Sequence, residues 1–356
     1  MKQLVLEDVL NLAYEQNASD IHLTAGKPVV FRIDGELVEL EGPKVMPKDV
    51  EEFALPLFQD NPRLMEEFNK NGEVDFSFSL KGKSRFRVNV FHQRGSVAVA
   101  MRLLPFRIPT PEELGLPESV KEFCHLKRGL VLVTGATGSG KSTTLASLIN
   151  LINQNYKKHI ITLEDPIEYL HRHEESVVNQ RELGSDTISY ANALRAALRQ
   201  DPDVVLVGEM RDLETISTAI TAAETGHLVF STLHTNSAPA TIDRIVDVFP
   251  PYQQQQIRVQ LANVLEGVIS QQLIHKDGEA GRVAAFEVMM ANPAIRNLIR
   301  ENKAYQLTSQ IQMNKRQGMQ TMDDSLFDLY LIGKISAADC VHYAQDIDSM
   351  TRRVTY

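Results

Sequence analysis

The chain has no tryptophan, and its 356 residues include only two cysteines, Cys124 and Cys340. Two thiols so far apart cannot build a disulfide framework or a four-cysteine zinc site within one chain. Aromatic residues make up 6%, few for the stacking platforms that hold single-stranded nucleic acid. Cations are also short: 37 Lys and Arg against 46 Asp and Glu leave a net charge of −9, the wrong sign for a dedicated binder of phosphate backbones. No apolar run approaches the ~20 residues that span a bilayer. The start, Met1-Lys2-Gln3-Leu4 followed by Glu7 and Asp8, lacks the apolar core of a signal peptide. These absences predict a cytoplasmic protein without nucleic-acid partners, reaching a membrane only through other proteins.

What is present is an ordinary globular composition, 43% hydrophobic and 23% charged, at a length that suits about two domains. Helical spacing over 4–16 gives way to β-like pieces at 21–23, 28–33 and 36–38, with a turn at Asp34-Gly35. Two helices, 47–58 and 62–69, precede alternating segments at 75–80, 85–93 and 96–104. The expectation is an α+β domain over 1–104 with a largely antiparallel sheet. Pro105, Pro109, Pro111, Gly115 and Pro117 then mark a stiff linker over 105–117.

From 118 to 356 the pattern changes. Buried-type strands at 129–134, 159–163, 203–208 and 227–233 alternate with helices at 142–154, 191–200 and 213–225, which predicts a wound α/β sheet. From about 253 the chain reads as mostly helical, with Leu261, Val264, Leu265, Val268 and Ile269 on one face.

The first strand runs into Gly135-Ala136-Thr137-Gly138-Ser139-Gly140-Lys141-Ser142-Thr143, a phosphate-binding loop between a strand and a helix. Its glycines let backbone N–H groups face phosphate oxygens, and the helix N-terminus adds a positive dipole end. Lys141 suits the β- and γ-phosphates of ATP, and the Ser142 hydroxyl suits Mg²⁺. A carboxylate must also order the metal. The strand at 203–208 ends in Glu209, the second candidate Mg²⁺ ligand. Glu164, Asp165 and Glu168 follow the strand at 159–163, and one of them acting as general base must stand within one water of the γ-phosphate. His234 ends a further strand among hydroxyl residues, placed to hydrogen-bond the γ-phosphate. His227 begins that same strand, and site and structural roles weigh about equally for it.

Taken together these motifs resemble the type II/IV secretion-superfamily ATPases, and among them the motors that retract type IV pili. Leu198-Arg199-Gln200-Asp201-Pro202-Asp203 through Arg211-Asp212 matches the family signature, Asp165 to Glu168 its acidic box, and Thr225-Gly226-His227 to Thr235 its histidine box. Ala18-Ser19-Asp20-Ile21-His22-Leu23 is similar to the start of the family's PAS-like N-terminal domain, and Ala294 to Glu301 to a C-terminal motif of retraction motors. The resemblance implies a RecA-like ATPase domain, a homohexameric ring with ATP between subunits, Glu168 as general base and Glu209 as Walker-B acid. It also implies an inner-membrane pilus platform as partner, and arginines of the first domain that reach nucleotide. Independently, the stretch 76–111 carries no Asp or Glu but seven cations, Lys81, Lys83, Arg85, Arg87, Arg94, Arg102 and Arg107. Arg85, Arg87 and Arg102 are the candidate fingers. Extension or secretion ATPases and an accessory retraction paralogue are the alternatives within the family. The family's extension motors carry paired Cys-x-x-Cys elements, which two distant cysteines cannot supply. A DNA-translocating RecA-like ATPase ranks below them.

Overall fold

A computed structural model describes residues 5–33, 35–58, 61–80, 83–104 and 107–355. The expectations at Met1 to Leu4, Asp34, Lys81 and Pro105 lie outside the described residues. Two compact units divide the chain: Met1–Arg107 with Pro166–Leu170, and Ile108–Asp165 with His171–Tyr356.

In the first unit, α1 (Leu6–Glu15) is followed by β1 (Asp20–Leu23), β2 (Val30–Ile33) and β3 (Glu36–Glu39). Helices α2 (Pro47–Phe58) and α3 (Pro62–Asn71) come next, then β4 (Glu73–Leu80), β5 (Ser84–Gln93) and β6 (Ser96–Leu104). The six strands form one sheet in the order β3-β2-β1-β6-β5-β4, antiparallel at every pairing. Alternation decides its two faces. Phe86, Val88 and Val90 of β5 are buried in a core with Leu10, Ile21, Phe31 and Phe53. Arg85, Arg87 and Asn89 take the opposite face.

The second unit begins with the short α4 (Glu118–Lys121), then β7 (Gly129–Thr134), α5 (Lys141–Asn155), β8 (His159–Glu164) and β9 (Val177–Glu182). It continues through α6 (Tyr190–Ala197), β10 (Val204–Val207), α7 (Leu213–Glu224), β11 (Leu228–Leu233), α8 (Ala238–Asp247) and α9 (Pro251–Val264). Seven strands form the sheet β13-β12-β7-β11-β10-β8-β9, in which β12 is Leu265–His275 and β13 is Arg282–Met290. All pairings are parallel except β12 with β13. Successive residues feed opposite layers: Leu130 and Leu132 join a core with α6 to α9, and Val131 and Val133 join one with Leu145, Leu148 and Ile152 of α5. Helices α10 (Pro293–Arg300), α11 (Leu307–Met313), α12 (Met322–Leu331), α13 (Ala337–His342) and α14 (Ile347–Thr355) complete the unit.

The region after 253 is mostly helical, as expected, but it also carries the strand pair β12 and β13: α9 stops at Val264, and Leu265, Val268 and Ile269 belong to β12 instead of extending a helical face. Leu261, Val264, Leu265 and Val268 satisfy a helical spacing by coincidence, because β12 lies between two strands and is buried nearly continuously from Leu265 to Gln271. A strand covered on both faces shows no period of two. Strand β9 was likewise absent from the sequence reading; it is a half-exposed edge strand, Val177–Glu182, rich in polar residues.

Candidate active site

Parallel strands bring their C-terminal ends to one edge, and the sheet order decides which loops become neighbours there. In this sheet β12, β7, β11, β10 and β8 are adjacent. Register aligns Ser270 and Leu233 with Thr134, and Val207 with both Ser231 and Leu163. The edge therefore presents, side by side, Gln271, the phosphate loop from Gly135, His234, Glu209 and the Glu164-Asp165 pair.

The loop turns on three glycines with positive φ: Gly135 at +146°, Gly138 at +80° and Gly140 at +89°. A Cβ on Gly135 would lie 2.4 Å from the carbonyl oxygen of Gln271, and one on Gly140 would lie 2.8 Å from the Gln271 amide nitrogen. The β12 backbone leaves no room for a side chain at Gly135, and at Gly140 the positive φ strains any other residue. Lys141, at the first turn of α5, donates from Nζ to the carbonyls of Gly135 (2.8 Å) and Ala136 (3.0 Å), which holds the ammonium over the loop. Thr144 one turn on donates to Gln271 Oε1 at 2.7 Å and ties α5 to β12. Ala136, Thr137, Gly138 and Ser142 are exposed, whereas Ser139 is buried and its hydroxyl meets no hydrogen-bond partner. A cavity of about 470 Å³ opens beside Ala136 to Ser139, walled also by Asn236, Gln271, Arg282, His342 and Tyr343. Exposed loop amides, a caged lysine, an unsatisfied serine hydroxyl and an adjoining cavity fit a nucleoside triphosphate.

Beside the loop, Glu209 is held from two sides. His234 Nε2 lies 2.9 Å from Glu209 Oε1, and Arg211 Nε donates to the same oxygen at 2.5 Å. The Glu209 side chain is only 16% exposed, whereas Arg211 is 76% and His234 42% exposed, so both partners reach it from the solvent side. Burial, then the charges of Asp165, Glu209 and Glu164, push the Tyr190 hydroxyl far above its usual range. That hydroxyl lies 2.9 Å from where a Cβ on Gly208 would be, so half-buried Tyr190 walls the acidic cluster with a polar group. Glu164 Oε1 accepts from Thr162 Oγ1 (2.6 Å) and Gln180 Nε2 (3.1 Å). Among the described residues no three acidic, thiol or imidazole side chains converge as a metal cage. Mg²⁺ does not require one, since one or two protein ligands suffice when phosphates and water supply the rest. Ser142 and Glu209 fit that role by chemistry.

Not every expected residue joins this edge. His227 precedes β11, and its carbonyl accepts from Gly129 N at the start of β7. It stands at the opposite end of the sheet, about 20 Å away at ~3.3 Å per strand residue, with Nδ1 2.9 Å from the Ala222 carbonyl oxygen. Within this chain it does not join the phosphate-loop edge, because in a parallel sheet the first and last residues of a strand cannot share an edge. Glu168 falls in Pro166–Leu170, grouped with the first unit. Arg85, Arg87 and Arg102 are on the first sheet, where Arg87 pairs across strands with Arg102, and Arg102 with Asp20. Arg102 Nε donates to Asp20 Oδ1 at 2.8 Å, and Arg87 Nε stands 3.7 Å from Asp75. Gln271, Tyr190, Arg282, His342 and Tyr343 were missed in the sequence. Only a strand at 265–275 could have pointed to Gln271, and the others carry no local signal.

Comparison with known proteins decides the family. The model of the type II/IV secretion system protein family matches residues 1–329. The chain belongs to that family. It is 50% identical over 331 residues, 93% of this chain and 95% of the relative, to the type IV pilus retraction ATPase PilT of Pseudomonas aeruginosa. It is 48% identical over 322 residues to a twitching motility protein of Neisseria gonorrhoeae, covering 90% of this chain and 86% of that one. A solved structure of the pilus retraction motor PilT with bound ADP superposes with a TM-score of 0.92 at 54% identity, over 98% of this chain and 99% of that chain. The secretion-family motif at 294–301 also has a defined place here. Arg296 donates two 3.0 Å bonds to Glu266 and reaches the carbonyls of Ala262 (2.8 Å) and Asn263 (3.1 Å), so it caps the end of α9.

Proposed function

We propose that this chain is an ATP-hydrolysing motor that powers retraction of type IV pili, and so twitching motility. The observation that carries the reading is the placement of the phosphate loop next to the Glu209–His234 pair on one sheet edge. The chain that bears it is half identical, along nearly its whole length, to a retraction ATPase.

In this reading Lys141 and the amides of Gly135 to Thr143 bind the triphosphate, and the cavity beside Arg282 and Tyr343 takes the nucleoside. The Ser142 hydroxyl and, through water, Glu209 would hold Mg²⁺, which would supply positive charge to offset that of the phosphates. His234 hydrogen-bonds the γ-phosphate while orienting Glu209. Glu168 accepts a proton from the attacking water, with Glu164 and Asp165 shaping the acidic side of the site. One or more of Arg85, Arg87 and Arg102 stabilise charge in phosphoryl transfer. The first unit serves as a PAS-like domain, the second as a RecA-like ATPase domain with helical additions, and the proline-rich segment 105–117 joins them. The working form is a homohexamer, cytoplasmic and peripheral at the inner face of the cytoplasmic membrane, where it meets the pilus platform. No helix among the described residues is long and apolar enough to cross a membrane, in keeping with attachment through partners.

The test is genetic. Cells lacking the gene should carry surplus, immobile pili, corrected by the wild type and not by Lys141→Ala. Loss of pili in the deletion would refute retraction and point to extension.

A further inference from the structure

Glu287, on β13, is completely buried, with 0% of its surface exposed. Its Oε1 accepts from the backbone N–H of Ala238 at 2.6 Å and from Ser270 Oγ at 3.3 Å. Ser270 in turn accepts from Thr134 Oγ1 at 3.1 Å. Thr134 is the last residue before the phosphate loop, and Ala238 opens the helix that follows His234. On its other side Oε2 accepts from Gln345 Nε2 at 3.4 Å, and the Met322 backbone N–H also bonds the carboxylate. Gln345 Nε2 is equally 3.4 Å from the carbonyl of Asn236. Asn236 and the nearby His342 and Tyr343 wall the cavity beside the loop. Burial raises the Glu287 carboxyl above its ordinary range, against the pull of the bonds from Ala238, Ser270 and Gln345.

A carboxylate removed from water is costly unless every lone pair is used, and an apolar residue would fill the space at lower cost. Here one side chain touches β12, and through Ser270 the strand feeding the phosphate loop, as well as the helix behind His234, the start of α12 at Met322 and the bend between α13 and α14 at Gln345. We propose that Glu287 is a positioning residue that locks these parts in register, so that filling the nucleotide cavity and seating the segment 342–346 are one event. The proposal rests on the ATPase reading for its effect on turnover, and on the geometry alone for its effect on the segment.

The experiment uses the full chain and ADP as probe. Hydrogen exchange of the amides at 236–240 and 342–346 is followed with and without ADP, alongside ADP affinity and steady-state ATPase rates. In the wild type, ADP should slow exchange at both segments. Glu287→Gln keeps the shape but puts a donor where only acceptors fit. It should still bind ADP within about threefold, lose protection at 342–346, and lose kcat by about 10²-fold. A merely structural role would lower thermal stability and leave that protection in the folded fraction. Should Glu287→Gln not fold, Gln345→Ala removes the Oε2 contact and the bond to the Asn236 carbonyl, leaves the Ala238 and Ser270 bonds in place, and should also abolish protection at 342–346. Retained ADP-dependent protection in the folded variant, or no protection in the wild type, overturns the proposal. A wild type that binds ADP and protects 342–346 but never hydrolyses ATP would sink the ATPase reading and leave the lock standing.

Discussion

At the scale of single residues, the phosphate loop depends on the lack of side chains as much as on Lys141. Gly135 combines φ +146° with a Cβ position 2.4 Å from a backbone oxygen, and neither can relax without moving β12. Gly135→Ala should cost on the order of 1–3 kcal/mol in backbone strain and abolish ADP binding, read by thermal denaturation and nucleotide titration. Asp20 shows how a neighbour sets a charge. Burial alone would raise its carboxyl, yet bonds from Arg102 and Ser19 outweigh that and hold it below its ordinary value of 3.8. A carboxyl depressed in the folded state stabilises above its unfolded value and loses that contribution as pH falls through the folded one. In Arg102→Ala burial then dominates, so acid unfolding of the first unit, followed by circular dichroism, should move to higher pH. Unchanged acid unfolding would show the ion pair to be inconsequential. If Arg102 is also a finger, the same variant should bind ATP normally and turn over more slowly.

At the scale of elements, the join between α9 and β12 has no turn residue and no gap. Arg296 reinforces that join, bridging Glu266 and the last α9 carbonyls with side chains 20% and 26% exposed. Arg296→Ala should destabilise the second unit by about 1–3 kcal/mol, and a denaturation midpoint equal to wild type would refute this. The same join explains what could be read in the sequence and what could not. Strands β7, β8, β10 and β11 were legible because each is short, apolar and closed by a glycine, charged or hydroxyl-rich loop. The phosphate loop was legible because all its chemistry lies in nine consecutive residues. Strand β12 was not, since Glu266, Ser270, Gln271 and Gln272 break its apolar run and its apolar residues continue the helical spacing of α9. Gln271 was hidden with it. His227 was left undecided for a different reason: its spacing from His234 does not say which end of the sheet carries the loop, and the parallel pairing puts it at the far edge. Arg282, His342 and Tyr343 reach the cavity only through tertiary packing.

At the scale of the whole molecule, the net charge of −9 averages two unlike regions. The stretch 76–111 is wholly cationic, while Glu164, Asp165 and Glu209 gather at one sheet edge of the other unit. The pairing of β7 with β12 has a further consequence, in time rather than in space. A ribosome finishes the phosphate loop at Thr143 long before it reaches Gln271, yet the loop's wall, the partner of Thr144 and one flank of β7 all come from β12. The nascent motor is therefore unable to grip nucleotide until three-quarters of it has been made. A chain released at Val264 should not bind ADP, whereas one released at Met290 should have its loop walled on both sides; equal ADP binding by the two fragments would contradict this order of events.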